Sequence, residues 1–239
     1  MNVIITGASK GIGKALATSF AAEGATLFIC ARNEIYLYNT VAELQTVYPD
    51  CVIKAKPFDI SVKEEAKAFG AWVLSGIKDT VSGMVDVLVN NAGLFTPGSI
   101  YDEEEGLLEK LIETNLYSAY HLTRTLVPAM IEAKKGLIVN ICSIASLQAY
   151  SNGGSYGISK FALMGFNKNL REELKPHRVK VMAVYPGAVM TDSWGNFDNS
   201  SLRIMEAGDI ANMILAASKL SPQTVVEDII MRPLLGDLP

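Results

Sequence analysis

Tyr156 and Lys160 stand four residues apart in Ser155-Tyr156-Gly157-Ile158-Ser159-Lys160, just after a glycine pair. Residues four apart share one helix face, so the spacing predicts an ammonium beside a phenol. A phenol with an ordinary pKa near 10 falls short as a neutral-pH base by roughly 4 kcal/mol. A nearby cation and the positive end of a helix dipole both favour the phenolate, which makes the group a usable acid and base. Chance produces the same spacing in many helices, so the pair needs partners. Ser143 offers one, closing the run Asn140-Ile141-Cys142-Ser143. A hydroxyl at a strand's carboxyl end faces a ligand crevice and can donate to a carbonyl oxygen that gains negative charge. A turn-forming serine would look the same.

A second chemistry-bearing stretch opens the chain. Thr6-Gly7-Ala8-Ser9-Lys10-Gly11-Ile12-Gly13 follows an apolar run and precedes a helical pattern. Glycines there permit positive φ and close backbone approach, while the helix N-terminus points unpaired N–H groups at an anion. The spacing is G-x-x-x-G-x-G rather than G-x-G-x-x-G, and a tight strand-to-helix turn would also use glycine. At the end of the second apolar run, an acidic side chain would hold the 2′-hydroxyl of NAD. Cys30-Ala31-Arg32-Asn33 stands there instead. A small residue followed by Arg32 leaves room for a 2′-phosphate and pairs with it, and Lys10 adds a second positive charge. NADP is therefore expected over NAD, with Asn33, Asp59 and Ile60 alongside. Asp59 either accepts from an adenine amino group or caps the helix after Ser61.

These residues need elements to hold them. Strands are expected at Val3–Thr6, Thr26–Cys30, Val52–Ala55, Val85–Asn90, Leu137–Cys142, Val179–Tyr185 and Val225–Met231. They are continuous apolar runs, as in parallel strands covered on both faces. Helices are expected at Ile12–Glu23, Ile35–Val47, Val62–Lys78, Glu103–Lys134, Tyr156–Lys175 and Gly208–Lys219, with Pro128 bending or ending a turn. The alternation predicts an α/β fold: a single-domain, Rossmann-type, doubly wound parallel sheet of about seven strands spanning residues 1–239. Thr191–Ser201 is polar and turn-rich but carries Trp194 and Phe197, so residues 191–205 form either a substrate lid or a loop folded back on the core.

On the helix wheel of Tyr156–Lys175, Ile158, Phe161, Ala162 and Gly165 form one apolar stripe. Leu163, Phe166, Leu170 and Leu174 form another. A helix apolar on two sides packs one on the sheet and the other on a second subunit, which predicts a homodimer or homotetramer.

Composition narrows the classes. The 239 residues include 21 basic and 25 acidic side chains, a net charge of −4, with 49% apolar and 19% charged residues. That suits a sizeable core and argues against disorder. Without a Lys/Arg cluster no nucleic-acid partner is expected, and no run is apolar enough to suggest a membrane span. No secretory signal is visible, so a cytoplasmic protein is expected. Three scattered cysteines (Cys30, Cys51 and Cys142) and two histidines (His121 and His177) supply neither a metal site nor a Ser-His-Asp triad.

Taken in order along the chain, the motifs resemble the short-chain dehydrogenase/reductase family. The resemblance rests on TGASKGIG at Thr6–Gly13, NNAG at Asn90–Gly93, Asn115, Ser143, YxxxK at Tyr156–Lys160 and YPGAVMTD at Tyr185–Asp192. It implies that Tyr156 is the acid/base, that Ser143 polarises the substrate carbonyl, and that Lys160 binds the nicotinamide ribose and lowers the Tyr156 pKa. Asn115 would hold a water behind Lys160. Asn91, Ala92 and Gly93 would border the cofactor, and Pro186, Gly187, Val189 and Thr191 would wall the nicotinamide. Asn90 would tie the sheet.

The expected reaction is hydride transfer between NADP(H) and a small-molecule ketone, aldehyde or secondary alcohol, as in a carbonyl reductase. The ending Glu227–Leu238 departs from the glycine-rich close usual in 3-oxoacyl-carrier-protein reductases, which makes 3-oxoacyl-thioester reduction the alternative enzyme. A non-catalytic NADP-binding sensor is the alternative of another class. Phe95, Gln148, Tyr150, Met190, Trp194 and Phe197 are the candidate pocket residues beside Ser143.

Overall fold

The structure, a computed structural model, describes residues 1–191, 194, 195 and 197–237. Among the described residues seven strands form one parallel sheet: β1 (Asn2–Thr6), β2 (Thr26–Ala31), β3 (Ile53–Pro57), β4 (Val87–Asn90), β5 (Leu137–Ile141), β6 (Lys180–Pro186) and β7 (Asp228–Met231). Their spatial order is β3-β2-β1-β4-β5-β6-β7. The chain winds outward from β1 to β3, then returns to place β4 on the other side of β1. The crevice at the carboxyl ends of β1 and β4 is thus the switch point where such sheets bind ligands.

Helices α1 (Gly11–Ala22), α2 (Glu34–Val47), α3 (Lys63–Gly76), α4 (Leu107–Ile112), α5 (Ser118–Ala133), α6 (Gly154–Leu174) and α7 (Ala207–Ser218) connect the strands. The continuous apolar runs have a simple cause. Val3 and Ile5 of β1 pack into the core under α1 and α7, while Ile4 between them packs into the core under α3, α5 and α6. Both faces are covered, so adjacent residues are apolar alike.

Helix Glu103–Lys134 was expected to be one element, but it is three. Gly106 has φ +85° and stops the helix upstream, so α4 begins only at Leu107. A π-helical turn, Glu113–Tyr117, then separates α4 from α5 and carries Asn115. Pro128 does not end α5, which runs on to Ala133. The strands differ from expectation by a residue or two at most ends, and β7 starts three residues late.

Of the two stripes on α6, Leu163, Leu170 and Leu174 are buried against the sheet, whereas Ile158 and Phe161 remain 43% and 40% exposed. Among the described residues, no helix is long and apolar enough to cross a membrane. Asp192, Ser193 and Asn196 of the expected 191–205 lid, and with them the last residue of YPGAVMTD, lie outside the described residues.

Candidate active site

The glycine loop is shaped by contacts that leave no space for side chains. Gly7 and Gly11 hold φ of +63° and +52°, where a Cβ is strained. A Cβ on Gly13 would collide with the Gly7 carbonyl and stand 2.5 Å from Asn91 Nδ2. On Gly7 it would reach within 3.0 Å of Ala92 Cα, and on Gly11 within 2.9 Å of Thr191 Cγ2. Asn91 Nδ2 donates to Thr6 O and Gly7 O at 2.8 and 3.1 Å, while Thr6 Oγ1 accepts from Asn91 N and Ala92 N at 3.0 Å. The loops after β1, β4 and β6 therefore meet around one cradle. Helix α1 starts at Gly11 and has no side-chain cap from Lys10, so the first-turn N–H groups remain available to an anion. Ser9 O accepts from Thr40 Oγ1 at 2.9 Å, which anchors the loop to α2.

At the end of β2, Ala31 is buried and the Arg32 side chain is 73% exposed. Arg32 Nη1 lies 3.8 Å from Asp59 Oδ2, a surface pair that a bound anion displaces at little cost. Lys10 Nζ sits 3.8 Å above the Tyr36 ring. Asn33 caps α2 by accepting from Tyr36 N at 3.0 Å. Asp59 Oδ1 accepts from Ser61 N and Ser61 Oγ at 3.1 and 2.6 Å, so one oxygen is committed to the turn ahead of α3. Ile60 is buried beside it.

Ser143, Tyr156 and Lys160 come together at the carboxyl end of β5. Ser143 is extended, with φ −163°, and its Oγ accepts from Ala145 N at 3.1 Å, fixing the hydroxyl at the mouth of a short 3-10 turn. The hydroxyl is near enough to the Tyr156 phenol to favour its ionised form. Lys160 Nζ lies 5.9 Å from the Tyr156 ring centroid and donates to Ile141 O at 2.9 Å, with the residue only 5% exposed. The expected lowering of the Tyr156 pKa is reversed in the free chain. Burial pushes the phenol up to about 12, against a smaller downward pull from Ser143. Burial likewise pushes the Lys160 ammonium down to about 8. Desolvation outweighs pairing here because both groups leave water together and the ammonium faces a backbone carbonyl.

Asn115 is buried in the π-helical turn. Its Oδ1 accepts from Leu94 N at 2.7 Å, and its Nδ2 donates to Leu94 O and Ser159 Oγ at 3.0 and 2.9 Å. A Cβ on Gly93 would stand 3.3 Å from Asn115 Oδ1 and 3.6 Å from Lys160 Nζ, so the glycine lets these two groups share one niche. Ser159, which the sequence reading passed over inside YxxxK, is fully buried and also donates to Tyr156 O at 2.7 Å. Asn90 Nδ2 donates to Asn140 Oδ1 and Thr123 Oγ1, bridging two strands and α5.

The expected pocket residues divide. Phe95 stacks edge-on against Tyr156, with centroids 4.8 Å apart, and is 45% exposed. Tyr150, half exposed, is close enough to disfavour the phenolate of Tyr156. Gln148 is exposed on the turn after Ser143. Met190 pairs its backbone with Met205, next to the Val189–Met205 bridge. Trp194 and Phe197 are half-buried and pack on each other at 5.3 Å. Pro186 ends β6, and Gly187 N donates to Met231 O at 2.8 Å. A Cβ on Gly187 would stand 3.1 Å from Pro233 Cδ and 3.2 Å from Asp237 Oδ1. The carboxyl-terminal segment thus borders the same wall, a neighbour that no local motif announces.

Comparison with known proteins gives one answer. The short chain dehydrogenase family model matches residues 1–201. A dehydrogenase/reductase SDR family member 7B of Xenopus tropicalis is 31% identical over 230 residues, covering 90% of this chain and 73% of that protein. A metagenomic short-chain oxidoreductase solved in complex with NADP is 32% identical, with a TM-score of 0.83 and coverage of 98% and 96% of the two chains. An alcohol dehydrogenase from the archaeon Thermococcus sibiricus, complexed with 5-hydroxy-NADP, is 26% identical, with a TM-score of 0.90 and coverage of 100% and 98%.

Proposed function

This chain belongs to the short-chain dehydrogenase family and is an oxidoreductase; from that premise we propose that it reduces the carbonyl of a small ketone or aldehyde with NADPH. The observation that carries the reading is the convergence of Ser143, Tyr156 and Lys160 beside the glycine cradle, at the sheet's switch point.

The cradle fits a dinucleotide. Gly7, Gly11 and Gly13 leave backbone within reach of a pyrophosphate, and the α1 N-terminus supplies the donors. Arg32 and Lys10 suit a 2′-phosphate, with Ala31 leaving room for it and Asn33, Asp59 and Ile60 bordering the adenine side. Asn91, Ala92 and Gly93 line the middle, and Pro186, Gly187, Val189 and Thr191 line the far end. NADP supports this better than NAD because no carboxylate occupies the Ala31 position. When bound, NADPH supplies the hydride that reaches the carbonyl carbon.

The chain's own residues handle the oxygen. Ser143 Oγ donates to the carbonyl oxygen and orients it. Tyr156 Oη donates its proton as negative charge gathers there. A phenol pushed up to about 12 is protonated at neutral pH, as a proton donor to the carbonyl oxygen must be. Lys160 then stands ready to hold the ribose and to steady the phenolate left behind, with Asn115 behind it to hold a relay water. Phe95, Gln148, Tyr150, Met190, Trp194 and Phe197 form the substrate side, and residues 191–205 act as its lid.

Two features extend the reading. The exposed Ile158 and Phe161 on α6 support a homodimer or homotetramer built on that face. Three buried free cysteines support a reducing, cytoplasmic setting. A panel of ketones, aldehydes and 3-oxoacyl thioesters, followed by loss of NADPH absorbance, tests the function. Turnover of simple ketones is expected. Exclusive use of thioesters would replace the substrate class, and tight NADPH binding without any turnover would turn the enzyme into a sensor.

A further inference from the structure

The first turn of α6 is capped from a distant part of the chain. Glu103 Oε1 accepts from Ser155 N at 2.8 Å, and Oε2 accepts from Ser155 Oγ. Ser155 is buried and immediately precedes Tyr156. The N-cap residue itself, Gly153, makes no side-chain bond, so the carboxylate satisfies a first-turn donor that α6 cannot satisfy internally.

The same two stretches of chain are fastened at further points. Gly98 N donates to Asn152 O at 3.0 Å, and Ser99 Oγ donates to Asn152 Oδ1 at 2.8 Å. Gly154 has φ +33°, and a Cβ there would overlap the Glu103 carboxylate and stand 2.5 Å from Gly98 O. A Cβ on Gly98 would come within 2.8 Å of Glu103 Cγ. Glycine at both positions is therefore what lets the carboxylate reach Ser155. At the other end of this segment, the Phe95 ring meets the Tyr156 ring edge-on. Segment 95–103 thus grips Tyr156 from two sides: Phe95 on the ring, and Glu103 on the residue behind it.

Given the redox reading of Tyr156, on which this rests, we propose that Glu103 is a positioning residue: it clamps segment 95–103 to the first turn of α6, fixing the phenol over the crevice and the Phe95 wall beside it. Neither side of the clamp requires a bound ligand. Glu103→Gln keeps an oxygen acceptor for Ser155 N, whereas Glu103→Ala removes both acceptors, so the two variants grade the effect.

Backbone amide exchange, read by mass spectrometry on the full chain, tests the clamp without any substrate. In Glu103→Ala, exchange within 94–103 and 152–157 should rise at least tenfold, with Glu103→Gln between it and the parent and peptides from β1 and α1 unchanged. Turnover of 2,3-butanedione with NADPH supplies the second readout. In Glu103→Ala kcat should drop about tenfold with the NADPH KM within twofold, and Glu103→Gln should recover most of the loss. Unchanged exchange in both segments would overturn the clamp. Faster exchange throughout the chain, with kcat falling only as folded protein is lost, would reduce Glu103 to a general stabiliser and overturn its positioning role. Absence of turnover by the parent chain would count against the redox reading alone, because the exchange pattern decides the clamp independently.

Discussion

The two halves of the crevice are built differently. Around the glycine cradle, the contacts are backbone against backbone, or short polar side chains against backbone: Asn91 on Thr6 and Gly7, Thr6 on Asn91 and Ala92, Thr40 on Ser9. On the other side, the walls are side chains carried by longer loops, with Phe95 and Tyr150 half exposed and Asn152 and Leu202 at positive φ. A pyrophosphate presents the same oxygens whatever the reaction, so a cradle of amides and glycines serves it. A carbonyl substrate varies, and side chains on loops can be exchanged without disturbing the sheet. Tyr156 and Lys160 lie on the seam between the two.

The sharpest way to separate the halves is Tyr156→Phe. It removes the proton donor and leaves the cradle untouched, so kcat should fall about a thousandfold while NADPH affinity, read by fluorescence titration, stays within about twofold. Near-normal kcat would move the chemistry off this phenol and dissolve the comparison. Arg32→Asp probes the opposite side. It should shift the ratio of NADPH to NADH efficiency by about a hundredfold toward NADH, with the substrate KM unchanged. An unchanged ratio would place the 2′-phosphate elsewhere.

The smallest effect concerns the seam itself. The Lys160 pKa is pushed down to about 8 from its ordinary 10.5, so the unfolded chain holds that proton more tightly than the folded one. Burial of the ammonium therefore weakens the fold below pH 8, and the penalty is relieved as pH rises toward 10.5. Compared with Lys160→Met in urea unfolding, the parent chain should gain about 2 kcal/mol between pH 7 and pH 9.5. Parallel pH profiles would mean that the ammonium is not buried in the free chain.

The same contrast explains what the sequence revealed. The cradle, the Arg32 position, Ser143 and the Tyr156–Lys160 pair are local patterns, each held within one turn or one helix, and their placement follows from the strand order. Asn90 likewise ties strands and a helix, as expected. What escaped depends on distant segments meeting. A helix was expected from Glu103 onward, but Gly106 breaks it and Glu103 turns to α6 instead. The expected influence of Lys160 on Tyr156 followed from spacing alone. Spacing carries no information about burial, which reverses the sign in the free chain. Trp194 and Phe197 were equally readable as lid or packing residues, and they pack on each other.

Cys30 and Cys142 sit one on each side of this divide. The Cys30 thiol lies at the end of β2, and Cys142 adjoins Ser143; burial pushes both thiols up, Cys142 to about 12. A thiol so far from its anion does not react with alkylating or disulfide reagents until its surroundings open. Each half of the crevice therefore contains a native chemical clock, and the labelling rates of the two sulfurs would report how often each side breathes, with no probe introduced.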